Sequence, residues 1–300
     1  MISVAELHKK YESGKKNFEN IQLKEANLRG ADLRHANFRG ADLTGCDLTE
    51  ACLDGANLDE ANLSKVILDG ASLVKTSLNN AILNKASLIK TKLIRASLKE
   101  ANLREAALNQ AYLTISYLNQ ASLNKASLKE ALLNGAYLNE ADLTDADLTG
   151  ANLDNTRFKD AYYNKNTLFD SDFDPTKAGM QKILVEGEIT AEILVKTFNS
   201  LCLLSQHYLG NQMTNRYWQS SRPDVDWLAR FKMDSSGRVT FSGIDSESIS
   251  IENLKWYHQW LNSFIKSCSQ ILNNFPEMIE KKQLIDPQIN LILKKYNQDR

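Results

Sequence analysis

The sequence predicts a mainly β solenoid followed by a small α+β domain, and three observations carry the first part. Leu or Phe recurs every fifth residue from Phe18 to Phe173, with Tyr163 as the one exception. From Leu28 to Tyr163 a small residue stands two positions before nearly every one, as in Ala26, Ala31, Ala36 and Ala41. Proline is absent from the whole stretch, where it would remove a ladder donor, and first occurs at Pro175. Self-similarity at a fixed short period is the mark of a repeat architecture.

The period excludes the ordinary elements. On a helix, successive leucines five apart rotate by about 140° and form no stripe. On a flat strand, odd spacing sends them to alternate faces. The spacing works only if the chain turns a corner every five residues. The small residue and the Leu then point inward, two apart, as strand alternation requires. Val66, Thr76, Thr91, Ser116 and Thr156 are mild departures at the small position. Gly30, Gly40, Gly45, Gly55, Gly70, Gly135 and Gly150 all close their units, where glycine suits a turn.

Units such as Ala26-Asn27-Leu28-Arg29-Gly30 and Ala31-Asp32-Leu33-Arg34-His35 resemble the A-[DN]-L-x-x pattern of the pentapeptide-repeat family. That resemblance implies a right-handed quadrilateral β-helix with four units per coil. Residues 18–175 then make about eight coils and a rod of about 38 Å. The series closes with Phe158, Tyr163, Leu168 and Phe173 in the same phase.

The ends need covering, because a solenoid exposes its core there. Residues 1–17 supply a cap: 3–13 read as a short helix with Ser3 as N-cap, Val4, Leu7 and Tyr11 apolar, and Gly14 as stop. Residues 176–300 lose the period and hold all four tryptophans. A helix is expected over 190–209, capped by Thr190 and stopped at Gly210, then a loop over 216–223. Trp227–Met233 and Arg238–Ser242 read as strands around the turn Asp234-Ser235-Ser236-Gly237. A second long helix is expected from Ser250 to about Asn273, with short helices over Glu277–Lys282 and Asp286–Lys295. No family is recognised for this part.

Charge and composition narrow the function. The 36 basic and 37 acidic side chains give a net charge of -1, so nothing global calls for a polyanion. Cys46, Cys52, Cys202 and Cys268 have no metal-ligand spacing and suit a reducing compartment. The first twenty residues hold no apolar segment of signal-peptide kind, and no run of 18 apolar residues follows. The expectation is a cytoplasmic location without membrane or nucleic-acid partners, as a monomer or weak dimer. No catalytic, metal or cofactor site is expected. His207 and His258 lie in expected helices, and Cys202 and Cys268 border apolar faces. Asp224 and Asp226 read as turn residues before Trp227. No phosphate-cradling glycine motif occurs.

Binding residues are sought instead. With four units per coil, residues 20 apart share a face. Val74, Ile94, Tyr112, Ile115 and Leu132 then place apolar side chains outward, and Tyr117 and Tyr137 stack around the next corner, followed by Arg157. Such a patch suits a protein partner. In the second part Trp218, Arg222 and Trp227 are the candidates, with arginine stacked on tryptophan inside the fold as the competing reading. Charge is banded along the rod. Residues 42–69 hold seven acidic groups against Lys65, residues 74–104 seven basic against Glu100, and residues 130–174 ten acidic against three basic. The expected function is a non-enzymatic interaction scaffold or regulatory adaptor. The resemblance also raises a topoisomerase-binding DNA mimic, which the basic band opposes, and an enzyme in residues 176–300 is a third option.

Overall fold

The computed structural model describes residues 3–185, 188–244 and 246–281. The chain divides into two compact units between Lys182 and Ile183. The helix expected over 286–295 lies outside the described residues.

In the first unit, α1 (Val4–Glu12) opens the chain, and the Ser3 hydroxyl accepts from the Glu6 N–H at 3.1 Å. Its Leu7 is fully buried in the solenoid core, with Val4 and Tyr11 packed beside it. The Tyr11 hydroxyl donates to the Arg34 carbonyl at 2.9 Å, pinning the helix onto the first coils. Gly14, at φ 86°, turns the chain into the repeat.

From Asn17 onward, single parallel bridges join residues 20 apart: Asn17 to Asn37, Asp42 to Asn62, Tyr117 to Tyr137. One coil is therefore twenty residues, or four units. Each unit contributes a short extended stretch and then a turn. In the unit around Leu23, the Leu N–H donates to the Asp42 carbonyl at 2.9 Å and the Glu25 N–H to the Thr44 carbonyl at 2.8 Å. The Asp42 N–H returns to the Ile21 carbonyl at 2.8 Å. The corner closes through the Ala26 N–H on the Leu23 carbonyl at 3.2 Å. The fifth residue of every unit from Asn20 to Asp160 has φ between 55° and 72°, the left-handed value that a type II turn needs at its third residue.

The inward columns are dry. Leu58 to Leu143 are each 0 % exposed at every fifth position, and the small residues between them are equally enclosed. Burying a Leu contributes about 1.5–3 kcal/mol, so the column dominates the stability of this unit. The departures in the small column are each satisfied. Thr76, Thr91 and Thr156 donate to the Leu53, Leu68 and Leu133 carbonyls at 2.7, 2.7 and 2.8 Å. Ser116 donates to Leu113, and Cys46 to Leu23, both at 2.7 Å.

The phase does not hold to the end. Asp147 bridges Leu168, 21 residues on, because residues 161–166 form a unit of six. One extra residue moves the following side chains to the other face. Leu168 is accordingly 50 % exposed instead of joining the core column. Thr167 is buried and donates to the Leu143 carbonyl at 3.0 Å, and Phe169 packs inward on Phe173, ring centroids 4.8 Å apart. Asp145 braces the wider unit, accepting from the Asn164 and Asn166 amides at 2.9 and 2.8 Å. The chain then passes Pro175, and β1 (Tyr162–Tyr163) pairs in parallel with β2 (Gln181–Lys182).

The second unit is mostly helical. Its α2 (Ala191–Ser221) breaks its geometry at Gly210 (φ 75°, ψ 166°) but resumes beyond it. The expected loop over 216–223 is thus helical as far as Ser221, because Thr214 and Trp218 bury one face four residues apart. A 3-10 turn, Asp226–Arg230, replaces the first half of the expected strand and buries Leu228. The strand proper is β3 (Phe231–Met233), antiparallel to β4 (Val239–Phe241). Asp234 accepts from the Ser236 and Arg238 N–H groups in the hairpin turn, and Gly237 has φ 80°. Helix α3 (Ile251–Ser269) begins at Ser250, which accepts from the Asn253 N–H, and ends four residues short of the expected Asn273. A short α4 spans Phe275–Lys281. Phe198, Trp218, Phe231, Tyr257 and Trp260 form an aromatic core, joined by Trp260 Nε1 donating to the Trp218 carbonyl at 3.0 Å.

Two measurements check these local arguments. Among the described residues, Ile115 is the one β-branched side chain at the fifth position of a unit, where its Cβ is strained by the positive φ of 57°. Ile115→Asn should stabilise the protein by about 1 kcal/mol in urea unfolding, since Asn tolerates that region. A loss of stability would mean that packing of Ile115 outweighs the strain. The Thr49 hydroxyl and amide, with the Arg29 guanidinium, hold the Asp47 carboxyl below its ordinary value. A carboxylate depressed in the fold stabilises above its unfolded value and loses that contribution as pH falls through the lowered one. Asp47→Asn should therefore lower the urea midpoint at pH 7 and flatten its decline below about pH 4.

Candidate protein-interaction surface

The outward positions build a surface column by column, since each side chain meets its counterpart 20 residues away. Tyr112 bridges Leu132 on one face, and Tyr117 bridges Tyr137 on the next. Val74, Ile94 and Ile115 lie at the corner between those two faces, at the fourth or fifth position of their units. The seven apolar residues picked from the sequence thus share one corner and its flanks. Tyr112, Ile115 and Leu132 are 40, 37 and 37 % exposed. Val74 and Ile94 are half-buried.

Tyr117 and Tyr137 lie nearly parallel, centroids 5.0 Å apart and 17° between planes. A cation closes each end of this pair. The Lys99 ammonium is 5.9 Å from the Tyr117 ring, and the Arg157 guanidinium is 4.7 Å from the Tyr137 ring. The four side chains follow one another along the face, a stack that holds the tyrosines in fixed positions.

Sequence reasoning missed a neighbour of this corner. Lys75, Arg95 and Lys99 line a shallow cleft of about 290 Å³ against Ser77, Ser97 and Tyr117. The signal is in the sequence, since Lys75 and Arg95 are 20 apart, but charge counted along the chain gives a band along the rod and not a place on it.

The candidates of the second unit have different surroundings. Trp218 is 2 % exposed and belongs to the aromatic core. Trp227 is half-buried, edge-on to Phe231 at 5.4 Å. Arg222 is exposed, with its guanidinium 6.0 Å from the Trp260 ring. Arginine thus does meet a tryptophan, but Trp260 instead of Trp218. The thiols are poorly suited to nucleophilic chemistry. Burial pushes Cys202 up to about 12 and raises Cys268 as well. Among the described residues no cluster of His, Cys, Asp and Glu is arranged to hold a metal ion. No helix among them is long and apolar enough to cross a membrane.

Comparison with known proteins follows the repeat. The family model for pentapeptide repeats matches in eight copies, over residues 21–59, 56–93, 81–120 and 121–160. No curated protein sequence matches the chain. Among solved structures, the chain is similar to HetL, a pentapeptide repeat protein involved in heterocyst differentiation regulation from the cyanobacterium Nostoc sp. strain PCC 7120. That match has 34 % identity, covers 56 % of this chain and 80 % of HetL, and has a TM-score of 0.36. Rfr23, from the cyanobacterium Cyanothece 51142, matches at 27 % identity over 56 % of this chain and all of its own, with a TM-score of 0.22. QnrB1, a plasmid-mediated fluoroquinolone resistance protein, matches at 17 % identity over 55 and 84 %, with a TM-score of 0.41. With its column of five-residue units running without a break as far as Asp160 and this family match across residues 21–160, the chain belongs to the pentapeptide-repeat family.

Proposed function

We propose that this chain is a non-enzymatic protein–protein interaction scaffold or regulatory adaptor, and that its solenoid engages a partner through the corner carrying Tyr112, Ile115, Leu132, Tyr117 and Tyr137. The observation that carries the reading is the grouping of three exposed large apolar side chains on adjoining coils. Ile67 and Ile82 are as exposed, at 39 and 41 %, but each stands alone. Their column neighbours are Asp47 and Ser87, and Asn62 and Asn102. A lone surface Ile calls for no explanation, whereas a contiguous patch does.

The backbone ladder favours binding in a second way. Side chains held on a rigid frame lose little freedom on association, so more of the contact energy appears as affinity. Tyrosines held in a stack are suited to act as anchors. A DNA-mimicking role calls for continuous negative charge, and Lys75, Lys85, Lys90, Lys92, Arg95 and Lys99 interrupt it.

The test compares proteins retained by immobilised wild type and by Tyr112→Glu/Leu132→Glu, quantified by mass spectrometry. Both substitutions are at exposed positions, but the two Glu side chains meet across one bridge and repel, so the melting temperature is measured beside capture. Tyr112→Asn/Leu132→Asn, whose melting temperature should stay close to wild type, serves as the uncharged control. The expected result is at least about a tenfold loss of a specific partner, the scale of one anchor residue. Equal recovery of the same proteins by both would overturn the reading.

A further inference from the structure

The cleft beside the aromatic corner says something about what the partner carries. Most cations of the solenoid near a carboxylate are paired with it: Lys24 with Asp42 at 3.1 Å, Arg29 with Asp47 at 3.2 Å, Arg39 with Glu60 at 2.7 Å, Lys129 with Asp147 at 3.0 Å. Lys75, Arg95 and Lys99 are exposed, and among the described residues none has a carboxylate partner. Lys75 and Arg95 succeed one another at the same corner, one coil or about 4.8 Å apart along the axis. Like charges placed opposite one another repel, and among the described residues neither member of this pair forms an ion pair.

The serine and threonine hydroxyls of the cleft have their hydrogens committed elsewhere. The Ser77 hydroxyl donates to Asp59 at 2.6 Å, the Ser97 hydroxyl to Asn79 at 2.7 Å, and the buried Thr76 hydroxyl to the Leu53 carbonyl. Asp59 also accepts from the Asn79 N–H at 2.7 Å, and Asp54 accepts from the Ser72 hydroxyl at 2.6 Å and the Val74 N–H at 2.9 Å. The charges offered to whatever enters are therefore the three cations, beside the Tyr117 ring and its hydroxyl. Tyr117 forms one wall, and it is also the first ring of the aromatic stack. Charge and apolar surface meet at that ring.

We propose that this cleft takes the carboxylates of a short acidic protein segment whose adjoining apolar or aromatic side chain rests on the Tyr117–Tyr137 corner. The inference rests on the interaction surface proposed above and specifies the chemistry of its partner. A peptide fits better than a nucleic acid because of the banding. The basic stretch, residues 74–104, covers between one and two coils, and residues 42–69 and 130–174 on either side are acidic. An extended peptide of about three residues spans two coils. A longer polyanion would run into repulsion at both ends.

Fluorescence anisotropy on the full chain tests this with three labelled probes: a decapeptide with the core Glu-Glu-Tyr-Leu-Glu, the same peptide with Gln for each Glu, and a 12-nucleotide single-stranded DNA. The wild type should bind the glutamate peptide about tenfold or more tightly than the glutamine peptide, and the preference should shrink as salt rises. Lys75→Glu/Arg95→Glu should remove the preference with the circular dichroism spectrum unchanged. Lys75→Gln/Arg95→Gln serves as a milder second variant if charge reversal perturbs folding. Equal affinity for the two peptides, a preference that survives both double variants, no binding of the glutamate peptide at millimolar concentration, or tighter binding of the DNA would each overturn the proposal. The partner-capture experiment separates the two readings. Capture lost in Tyr112→Glu/Leu132→Glu but kept in Lys75→Glu/Arg95→Glu removes the acidic segment and leaves the surface. Capture kept in both removes both.

Discussion

The hydrogen bonds between successive coils are the constraint on which everything else in the solenoid depends. From Leu23 to Leu148 each Leu N–H of the column donates to the outward residue of the next coil at 2.7–2.9 Å, and that outward residue's N–H returns to the coil before. Because the register is 20 residues, every side chain lies over a counterpart of the same position in its unit. A five-residue sequence pattern thereby becomes a set of straight columns. Leucine fills the inner column, alanine or a hydrogen-bonded Thr, Ser or Cys the one beside it, and the corner residue accepts a positive φ throughout. The corner conformation costs about 1–2 kcal/mol for a non-glycine residue, and the buried Leu of the same unit offsets it.

The same register organises the surface. In a globular fold, residues as far apart in sequence as Lys75 and Tyr117 meet only through the details of tertiary packing. Here their meeting is arithmetic, two coils apart along one edge. Small changes at outward positions can therefore write a binding surface without disturbing the core, since outward and inward columns are separate. The corner from Val74 to Tyr137 carries apolar, aromatic and cationic side chains side by side, on a frame laddered by backbone hydrogen bonds.

That separation also governs how much was legible beforehand. The period of five and its core were readable because each unit reports on itself. The corner patch was readable once residues 20 apart were aligned. Leu168 was not, because a six-residue unit looks like a five-residue one with a polar residue to spare, and the surplus Asn shows its effect only through Asp145. In the second unit the aromatic core was legible as composition and not as position. Gly210 does end the first helical stretch of α2, at φ 75° and ψ 166°, but a second stretch follows it directly, since Thr214 and Trp218 bury one face. Trp227, Leu228 and Phe231 look like strand residues, but the chain turns through a 3-10 segment first, since Leu228 and Phe231 must both reach the same core.

Disulfide trapping tests the register most directly. With the four native cysteines replaced, Ser77→Cys/Ser97→Cys places two thiols across one parallel bridge, within the reach of a disulfide. Ser77→Cys/Ser87→Cys places them half a coil apart, on opposite faces. Oxidation of the folded protein should close the first pair and leave the second open. Closure of the second pair, or of neither, would contradict a coil of twenty residues.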